Sequence, residues 1–253
     1  MNNDFIRLKN DFESIGVREG DSLLLHSSFK SLGTIEGGIQ TLVDALLSTL
    51  GERGTLIAPT LTYAYVTEDN PVFDYVNTPS CVGAVSEYVR NMKGAVRSIH
   101  PTHSCSAIGY RAEEFTRGHD RDVTPVGENS PFRKLRDLGG KILMLGCPFE
   151  RNTSMHGVEE LFGTSYLLKP VPSPYRIILP DGEYTIQYRR HHIMQNGYAQ
   201  RYDRVIPLMS REDARIAEIH SARSCLIDSA KMWQAGLSAL SRDELSFVER
   251  IKN

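Results

Sequence analysis

The sequence predicts an α/β protein, an αβα-type sandwich with a mixed central sheet and an added antiparallel β hairpin in the C-terminal third. Three observations support this fold class. Apolar runs with the length of buried strands occur at residues 22–26, 55–59 and 141–145. Segments with helical periodicity alternate with these runs, as in a sheet covered by helices. Late in the chain, Asp181-Gly182 separates two runs rich in tyrosine and isoleucine, which is typical of a β hairpin.

The helices are predicted from apolar spacing and from residues that favour helix ends. Residues 4–15 and 38–50 place their large apolar residues at the spacing of an amphipathic helix. The other predicted helices cover residues 81–90, 132–138, 198–209, 222–240 and 242–251, and one more begins near residues 152–154. Because no internal repeat or low-complexity linker interrupts the chain, residues 1–253 are predicted to form a single domain.

The composition excludes several classes of protein. With 40% hydrophobic and 24% charged residues and a net charge of −2, the chain has the composition of a globular protein and lacks the basic stripe of a nucleic-acid-binding protein. No apolar run has the length of a membrane span, and the start of the chain does not read as a signal peptide. The four cysteines are scattered without a metal-ligand spacing. We therefore expect a cytoplasmic protein without nucleic-acid or membrane partners and without a metal site.

The stretch with the most chemical information is residues 146–160. Three residues that favour a helix N-terminus, at 152–154, follow a predicted buried strand, so His156 falls in the first turn and Glu159 lies three residues later on the same face. The positive end of a helix disfavours imidazolium, which keeps a histidine neutral and able to accept a proton. A carboxylate one turn later can fix the tautomer of the ring. The alternative interpretation is a histidine that only caps or packs at the helix start.

A second candidate site follows the first strand. Residues 27–38 are small, hydroxylated and rich in glycine, and a predicted helix comes directly after them. A strand, a loop of this composition and a helix can point backbone N–H groups at an anion. The Gly-Lys-Ser/Thr signature of a P-loop is missing, so this pattern alone is only a weak indication of a phosphate site.

Six short segments, in this order along the chain, resemble the aminoglycoside 3-N-acetyltransferase family, which is distinct from the GNAT acetyltransferases. They are HSSFKSLG at residues 26–33, GTLIAPT at 54–60, RSIHPTHS at 97–104, SPFRKL at 130–135, GKILMLG at 140–146 and NTSMHGVE at 152–159. Each segment is weak by itself, whereas the ordered set is specific. The resemblance covers about residues 20–160 and continues loosely to the C-terminus.

The resemblance implies an acyl-CoA-dependent N-acyltransferase that acylates a primary amine of an amino sugar, with acetyl-CoA as the default donor and the 3-amino group of an aminoglycoside as the default acceptor. It assigns the role of general base to His156, with Glu159 beside it, in a direct attack on the thioester; Ser104 is a candidate donor to the oxyanion. An acyl-enzyme on Cys105 or Cys147 is disfavoured because neither lies in a Cys-His activation pattern. The residues expected to bind coenzyme A are His26, Ser27, Ser28, Ser31, Leu32, Gly33, His103 and Thr153.

The acceptor side departs from the family pattern. Family members that modify cationic aminoglycosides tend to line this side with carboxylates, whereas here the segment after the predicted hairpin is basic. The expected substrate-binding residues are Glu68, Asp69 and Asp74, which suit a polycation, and Arg189 and His192, which suit a phosphate. An N-acyltransferase of a nucleotide-linked amino sugar for surface glycan biosynthesis is therefore the alternative function, and a non-catalytic CoA-binding relative is the least favoured one. The acyl chain, the regiochemistry and the choice between monomer and homodimer stay open.

Overall fold

The structure, a computed structural model, describes residues 2–251. Within these residues the strands are β1 (Ser22–Ser27), β2 (Thr55–Pro59), β3 (Val72–Asp74), β4 (Val96–Arg97), β5 (Cys105–Gly109), β6 (Lys141–Leu145), β7 (Ser173–Leu179), β8 (Gly182–Tyr188), β9 (Tyr198–Gln200), β10 (Ala214–Ile219), β11 (Ala222–Asp228) and β12 (Val248–Arg250). The α-helices are α1 (Asn3–Ile15), α2 (Gly38–Leu50), α3 (Ala84–Arg90), α4 (Ala112–Thr116), α5 (Pro131–Asp137), α6 (Ser154–Phe162) and α7 (Ser229–Leu240).

Seven strands form the central mixed sheet in the order β10-β11-β6-β1-β2-β5-β4. The strands β6, β1 and β2 at its centre run parallel, and the outer strands pair antiparallel. Ser27 at the end of β1 pairs with Leu145 at the end of β6, so the loops after both strands leave the sheet at the same edge. The carboxyl ends of parallel strands are where α/β proteins commonly bind ligands. This edge brings together the two candidate sites predicted from the sequence.

Helices cover both faces of this sheet, because alternate residues of its strands point to opposite sides. Leu23 and Leu143 pack with α1, α2 and α3, whereas Leu24 and Ile142 pack with α4 to α7. Within residues 2–251, no helix combines the length and the apolar character needed to cross a membrane. The predicted αβα sandwich with a mixed central sheet is confirmed.

The predicted hairpin is also confirmed. The strands β7 and β8 pair antiparallel around Asp181-Gly182, with Leu179 opposite Gly182. The short strand β3 adds to β7 in parallel, which makes a separate three-stranded sheet with its own apolar cluster. Along the chain, the last strand of this small sheet is followed directly by the basic segment that the sequence analysis assigns to the acceptor side.

Three helices predicted in the C-terminal third are wrong in whole or in part. Residues 198–209 form β9 and a 3-10 helix, Tyr202–Leu208, in which Pro207 lacks the N–H that an α-helix would need. The first part of the range 222–240 is β11, which pairs with both β6 and β10, and only the second part is helical. Residues 242–251 form turns and β12, which pairs with β9. In the strand segments, pairing with distant residues overrides the local helical spacing.

The helix α6 approaches α7 closely at Gly157. A Cβ atom at this position would lie 2.3 Å from Trp233 and 2.5 Å from Val126. Only glycine allows this approach without displacing the neighbouring side chains. The position of α6, and with it of His156, therefore depends on this residue.

Candidate active site

His156 lies in the first turn of α6, where the sequence places it. A 3-10 turn, Phe149–Arg151, connects β6 with this helix. The side chain of Asn152 accepts a hydrogen bond from the Ser154 amide at 3.1 Å, so it satisfies one of the free N–H groups at the helix start. His156 is 8% exposed, which leaves a small part of the ring accessible to a substrate.

Glu159 reaches His156 through a tyrosine. The Tyr202 hydroxyl lies 2.7 Å from His156 Nδ1 and 2.6 Å from Glu159 Oε2, whereas the direct distance from Nδ1 to Oε2 is 3.6 Å. Because the phenol donates its single hydrogen to the carboxylate, His156 donates its Nδ1–H to the phenol oxygen. The Nε2 atom then has a free lone pair, which is the tautomer that a general base needs.

Glu159 is fully buried and is held by two phenols. Tyr166 donates to Oε1 at 2.7 Å, and Tyr202 donates to Oε2. Burial raises the pKa of both tyrosines, and the charge of Glu159 raises it further, so both phenols keep their protons. The carboxylate is therefore stabilised by two charge-assisted hydrogen bonds in place of water.

The amide of Gln200 contacts the other ring nitrogen of His156, Nε2. Gln200 Nε2 lies 3.3 Å from His156 Nε2, a long contact in which the amide donates to the free lone pair. If the amide rotates by half a turn, its oxygen can instead accept a hydrogen from Nε2 once the ring is protonated. Gln200 can therefore contact both protonation states of the His156 ring.

Two further histidines surround His156. The ring centroid of His191 lies 4.1 Å from that of His156 and 4.9 Å from that of His103. Burial holds the pKa of His103 and His191 well below the usual range, and the neighbouring histidines lower it further, so both rings are neutral near pH 7. One nitrogen from each of the three rings lies within 4.8 Å of the others, so the cluster could hold a metal ion. The sequence predicts no metal site, because these residues are far apart along the chain.

His191 is paired with a buried carboxyl group. Its Nε2 atom lies 2.8 Å from Glu160 Oε1, and the side chain of Glu160 is only 4% exposed. Burial raises the pKa of Glu160 to about 7. Each histidine of the cluster thus has a polar partner on its outer nitrogen, since the Thr102 hydroxyl lies 2.8 Å from His103 Nδ1.

The loop predicted to bind coenzyme A lies beside the start of the α6 segment. The Ser31 hydroxyl lies 2.7 Å from the Ser28 carbonyl oxygen and 2.8 Å from that of Gly146, so it links this loop to the segment after β6. Gly33 has a positive φ of 81°, and Leu32 is buried. Four residues of this predicted set follow β1 and lie at the edge of the sheet where α6 begins. They are Ser28, Ser31, Leu32 and Gly33.

The remaining residues of the predicted coenzyme A set lie at the same edge. Ser27 is the last residue of β1, and Thr153 precedes α6 without making a side-chain cap hydrogen bond. Burial lowers the pKa of His26 to about 4. Among the described residues, the Nε2 atom of His26 is buried and has no hydrogen-bond partner.

Within residues 2–251, none of the predicted acceptor residues makes a hydrogen bond, an ion pair or a ring contact with His156. The carboxylate of Glu68 contacts Lys169 and Ser173, and hydrogen bonding to Lys169 lowers its pKa. The other members of this set have separate surroundings. Asp74 accepts hydrogen bonds from its own turn, Asp69 is exposed, Arg189 donates to the Lys169 carbonyl oxygen, and the His192 backbone donates to Leu167.

Ser104 does not fit the role of an oxyanion donor in this arrangement. Its hydroxyl is fully buried and donates to the Thr60 carbonyl oxygen at 2.8 Å, while Arg97 Nε donates to it at 3.1 Å. The single hydrogen of the hydroxyl is therefore already used inside the protein. Burial also raises the pKa of the Cys147 thiol to about 12 and that of Cys105 well above its usual range, which disfavours an acyl-enzyme.

Several residues of the site were not found from the sequence. The sequence selects His192, but it is the adjacent His191 that joins the cluster, and no local pattern distinguishes the two. Tyr202 was placed on a helix and given no role. Gln200 and Glu160 carry no motif, and only the position of Glu160 next to Glu159 on an identified helix could have suggested it.

A family model described as aminoglycoside 3-N-acetyltransferase matches residues 24–241. The aminoglycoside N(3)-acetyltransferase VII of Streptomyces paromomycinus is 31% identical over 226 residues, which are 79% of this chain and 74% of that protein. The structure of AAC-IIIb in a binary complex with CoASH has a TM-score of 0.81 at 25% identity, with 94% of this chain and 96% of that chain covered. A mutant of the aminoglycoside acetyltransferase AAC(3)-IVa in complex with gentamicin has a TM-score of 0.80 at 27% identity, with 96% and 90% covered.

Proposed function

The chain belongs to the aminoglycoside 3-N-acetyltransferase family, and from this premise we propose that it transfers an acetyl group from acetyl-CoA to a primary amine of an amino sugar. Membership confirms the predicted family, the acyltransferase class and acetyl-CoA as the co-substrate. The default acceptor is the 3-amino group of an aminoglycoside. The observation that carries the mechanism is the position of the Tyr202 hydroxyl, 2.7 Å from His156 Nδ1 and 2.6 Å from Glu159 Oε2. This position favours the tautomer of His156 that has a free lone pair on Nε2.

His156 acts as the general base. The amine nitrogen attacks the thioester carbonyl carbon, a C–N bond forms, and the nitrogen loses a proton to His156 Nε2. The imidazolium that results is stabilised through Tyr202 by Glu159, which lies 3.6 Å from Nδ1. When the C–S bond breaks, the coenzyme A thiolate takes the proton back, and the base is restored. No group of the protein is acylated.

The donor is proposed to lie along the edge formed by the ends of β1 and β6. The Ser31 hydroxyl ties the loop of residues 28–33 to the Gly146 carbonyl oxygen, in the segment that leads to α6. The loop and the start of α6 are thus at the same edge of the sheet, where the positive end of the helix favours an anion. Ser31 holds the two segments together, so its contribution is to shape the loop. The ring centroids of His103 and His156 are 6.2 Å apart, which suits contact of His103 with the acyl end of the donor.

A nucleotide-linked amino sugar is the second candidate acceptor. The observation that favours it is that the predicted acidic residues already have partners inside the protein. Glu68 forms an ion pair with Lys169, and Asp74 accepts hydrogen bonds from its own turn. By contrast, Arg189 and Arg190 come directly before His191, which lies in the site. Guanidinium groups are well suited to bind phosphate.

The proposal is tested by the release of free coenzyme A from acetyl-CoA, followed with a thiol reagent, in the presence of aminoglycosides and of nucleotide-linked amino sugars. Turnover with one class only identifies the acceptor. His156→Ala should lower kcat by at least about 100-fold, the range expected for loss of a general base. The Kd for acetyl-CoA, measured by calorimetry, should stay within about threefold of the wild-type value. A chain that binds acetyl-CoA but turns over neither class would instead be the non-catalytic relative.

A further inference from the structure

The three histidines around the proposed base have the arrangement of a metal site. One ring nitrogen from each of His103, His156 and His191 lies within 4.8 Å of the corresponding atom of the other two. Zn–N bonds of about 2.0–2.1 Å in a tetrahedron place two ligand nitrogens roughly 3.4 Å apart. The ring nitrogens therefore need to approach one another by up to about 1.4 Å, which side-chain rotation can provide.

The outer nitrogen of each ring is already oriented by another residue. The Thr102 hydroxyl lies 2.8 Å from His103 Nδ1, and Tyr202 lies 2.7 Å from His156 Nδ1. Histidines that bind metals nearly always donate this second N–H to a carboxylate, a hydroxyl or a carbonyl group, which fixes the tautomer and raises the basicity of the ligand. The inward nitrogens are then His103 Nε2 and His156 Nε2, and the lone pair of His103 Nε2 is available in the tautomer whose Nδ1–H donates to Thr102.

The third ring follows the same rule with a carboxyl group. His191 Nε2 lies 2.8 Å from Glu160 Oε1, which leaves Nδ1 as its inward nitrogen. Glu160 behind His191 and Glu159 behind Tyr202 supply two buried carboxyl groups close to the cluster. A buried dication is costly unless nearby negative groups compensate its charge, and these two carboxylates can do so.

We propose that His103, His156 and His191 bind a divalent transition metal ion of the Zn²⁺ class, and that this ion inhibits the acetyltransferase by occupying Nε2 of the base. The inhibitory part rests on the proposed function, whereas the binding part does not. Three imidazoles and an open fourth position suit Zn²⁺, Co²⁺ and Ni²⁺ and do not suit Mg²⁺ or Ca²⁺, which prefer oxygen ligands. The Gln200 amide, 3.3 Å from His156 Nε2, has to move aside when the ion binds.

The binding part is tested with the full chain, purified without a histidine tag and treated with EDTA. Zn²⁺ is titrated by calorimetry, and Co²⁺ is followed by the visible absorption of its tetrahedral complex. We expect one ion per chain, and no binding of Mg²⁺. His191→Asn and Glu160→Gln should each weaken Zn²⁺ binding by at least about 10-fold, since loss of an outer partner alone has that effect. His103→Asn serves as a third variant if one of these does not fold.

The adjacent histidine provides the matched control. His192→Asn changes the same residue type one position away, outside the cluster, and should leave the Zn²⁺ affinity within about twofold of wild type. Absence of Zn²⁺ and Co²⁺ binding to the wild-type chain would overturn the inference, and so would an equal loss of affinity in His192→Asn and His191→Asn.

The inhibitory part is tested by coenzyme A release at increasing Zn²⁺ concentration. We expect a loss of activity that EDTA reverses, with a midpoint that shifts in His191→Asn by the same factor as the Zn²⁺ affinity. An unchanged midpoint would contradict inhibition through this cluster. A chain without acetyl transfer would contradict the proposed function and leave the metal binding measurable.

Discussion

The residues around His156 come from two regions that differ in regularity. In the first region, up to residue 162, His156 is on the first turn of an α-helix that follows a central strand, and His103 lies just before β5. In the second region, residues 188–202, His191 follows the end of a hairpin, and Gln200 and Tyr202 lie in a short strand and a 3-10 helix. The reactive nitrogen therefore comes from the regular region, and the groups that control its proton come largely from the irregular one.

This difference shows how the site can vary within one fold. The central sheet and α6 fix the position of His156, the proposed base, and of the edge where the donor is proposed to bind. The second region contributes Tyr202, which fixes the tautomer, and His191, which adds a second imidazole. Changes in the second region can therefore alter the proton chemistry and the acceptor without changing the central sheet or α6.

The largest expected effect is a loss of stability in acid, to which both regions contribute. Burial lowers the pKa of five histidines, to about 4 for His26, to about 3 for His119, and well below 6.5 for the others, His100, His103 and His191. The unfolded chain binds these protons below about pH 6.5 and the folded chain does not, so the stability falls as the pH falls through this range. At one pH unit below 6.5, protonation of each of these histidines in the unfolded chain lowers the free energy of unfolding by about 1.4 kcal/mol.

Glu160 acts in the opposite direction. Its pKa is raised to about 7 from 4.5, so its contribution to stability is lost as the pH rises between these values. Between pH 5 and pH 6.5 the destabilising effect of the five histidines is larger than the stabilising effect of Glu160. Urea unfolding should therefore show that acidification over this range lowers the free energy of unfolding by several kcal/mol. His119→Asn, in the first region, and His191→Asn, in the second, should each reduce the slope by a similar amount. If neither variant changes the slope, the acid sensitivity comes from other groups.

The next largest effect separates the two phenols that hold Glu159. Tyr202→Phe removes the acceptor of His156 Nδ1–H and one donor to the carboxylate, whereas Tyr166→Phe removes a donor only. We expect kcat to fall about 10- to 100-fold for Tyr202→Phe and less than about threefold for Tyr166→Phe.

Each variant removes one buried hydrogen bond to Glu159, which should cost about 1–3 kcal/mol of unfolding free energy. Tyr202→Phe also leaves the buried Nδ1–H of His156 without its acceptor, so we expect the larger stability loss for this variant. Because both variants weaken the support of Glu159, the difference in kcat between them reports on the contact with His156. Equal rate losses in the two variants would mean that the tyrosine of the second region does not control the tautomer.

The smallest effect tests the regular region by itself. Gly157→Ala introduces a Cβ atom 2.3 Å from Trp233, so α6 has to move, and we expect a loss of about 1–3 kcal/mol of unfolding free energy in urea. Gln234→Ala, at an exposed position of α7, is the control and should change it by less than about 0.5 kcal/mol. A neutral Gly157→Ala would show that the position of His156 does not depend on this close approach.

Much of the first region could be predicted from the sequence because its signals are local. Apolar runs gave β1, β2 and β6, and apolar spacing gave α1 and α2 with bounds within two residues of the observed ones. The hairpin followed from Asp181-Gly182. In the second region and in the chain after it, β9, β11 and β12 were assigned to helices, because these strands form by pairing with residues distant in the sequence.

By itself, the sequence determined the family, the sheet with its covering helices, and the position of His156 one turn into a helix with Glu159 on the same face. These features depend on periodicity, on capping residues and on short ordered motifs, all of which act over a few residues. Only the tertiary structure decided that Glu159 acts through Tyr202, that His191 rather than His192 joins the base, and that three histidines face one another. These contacts connect elements far apart in the chain, and their geometry depends on how the two regions pack.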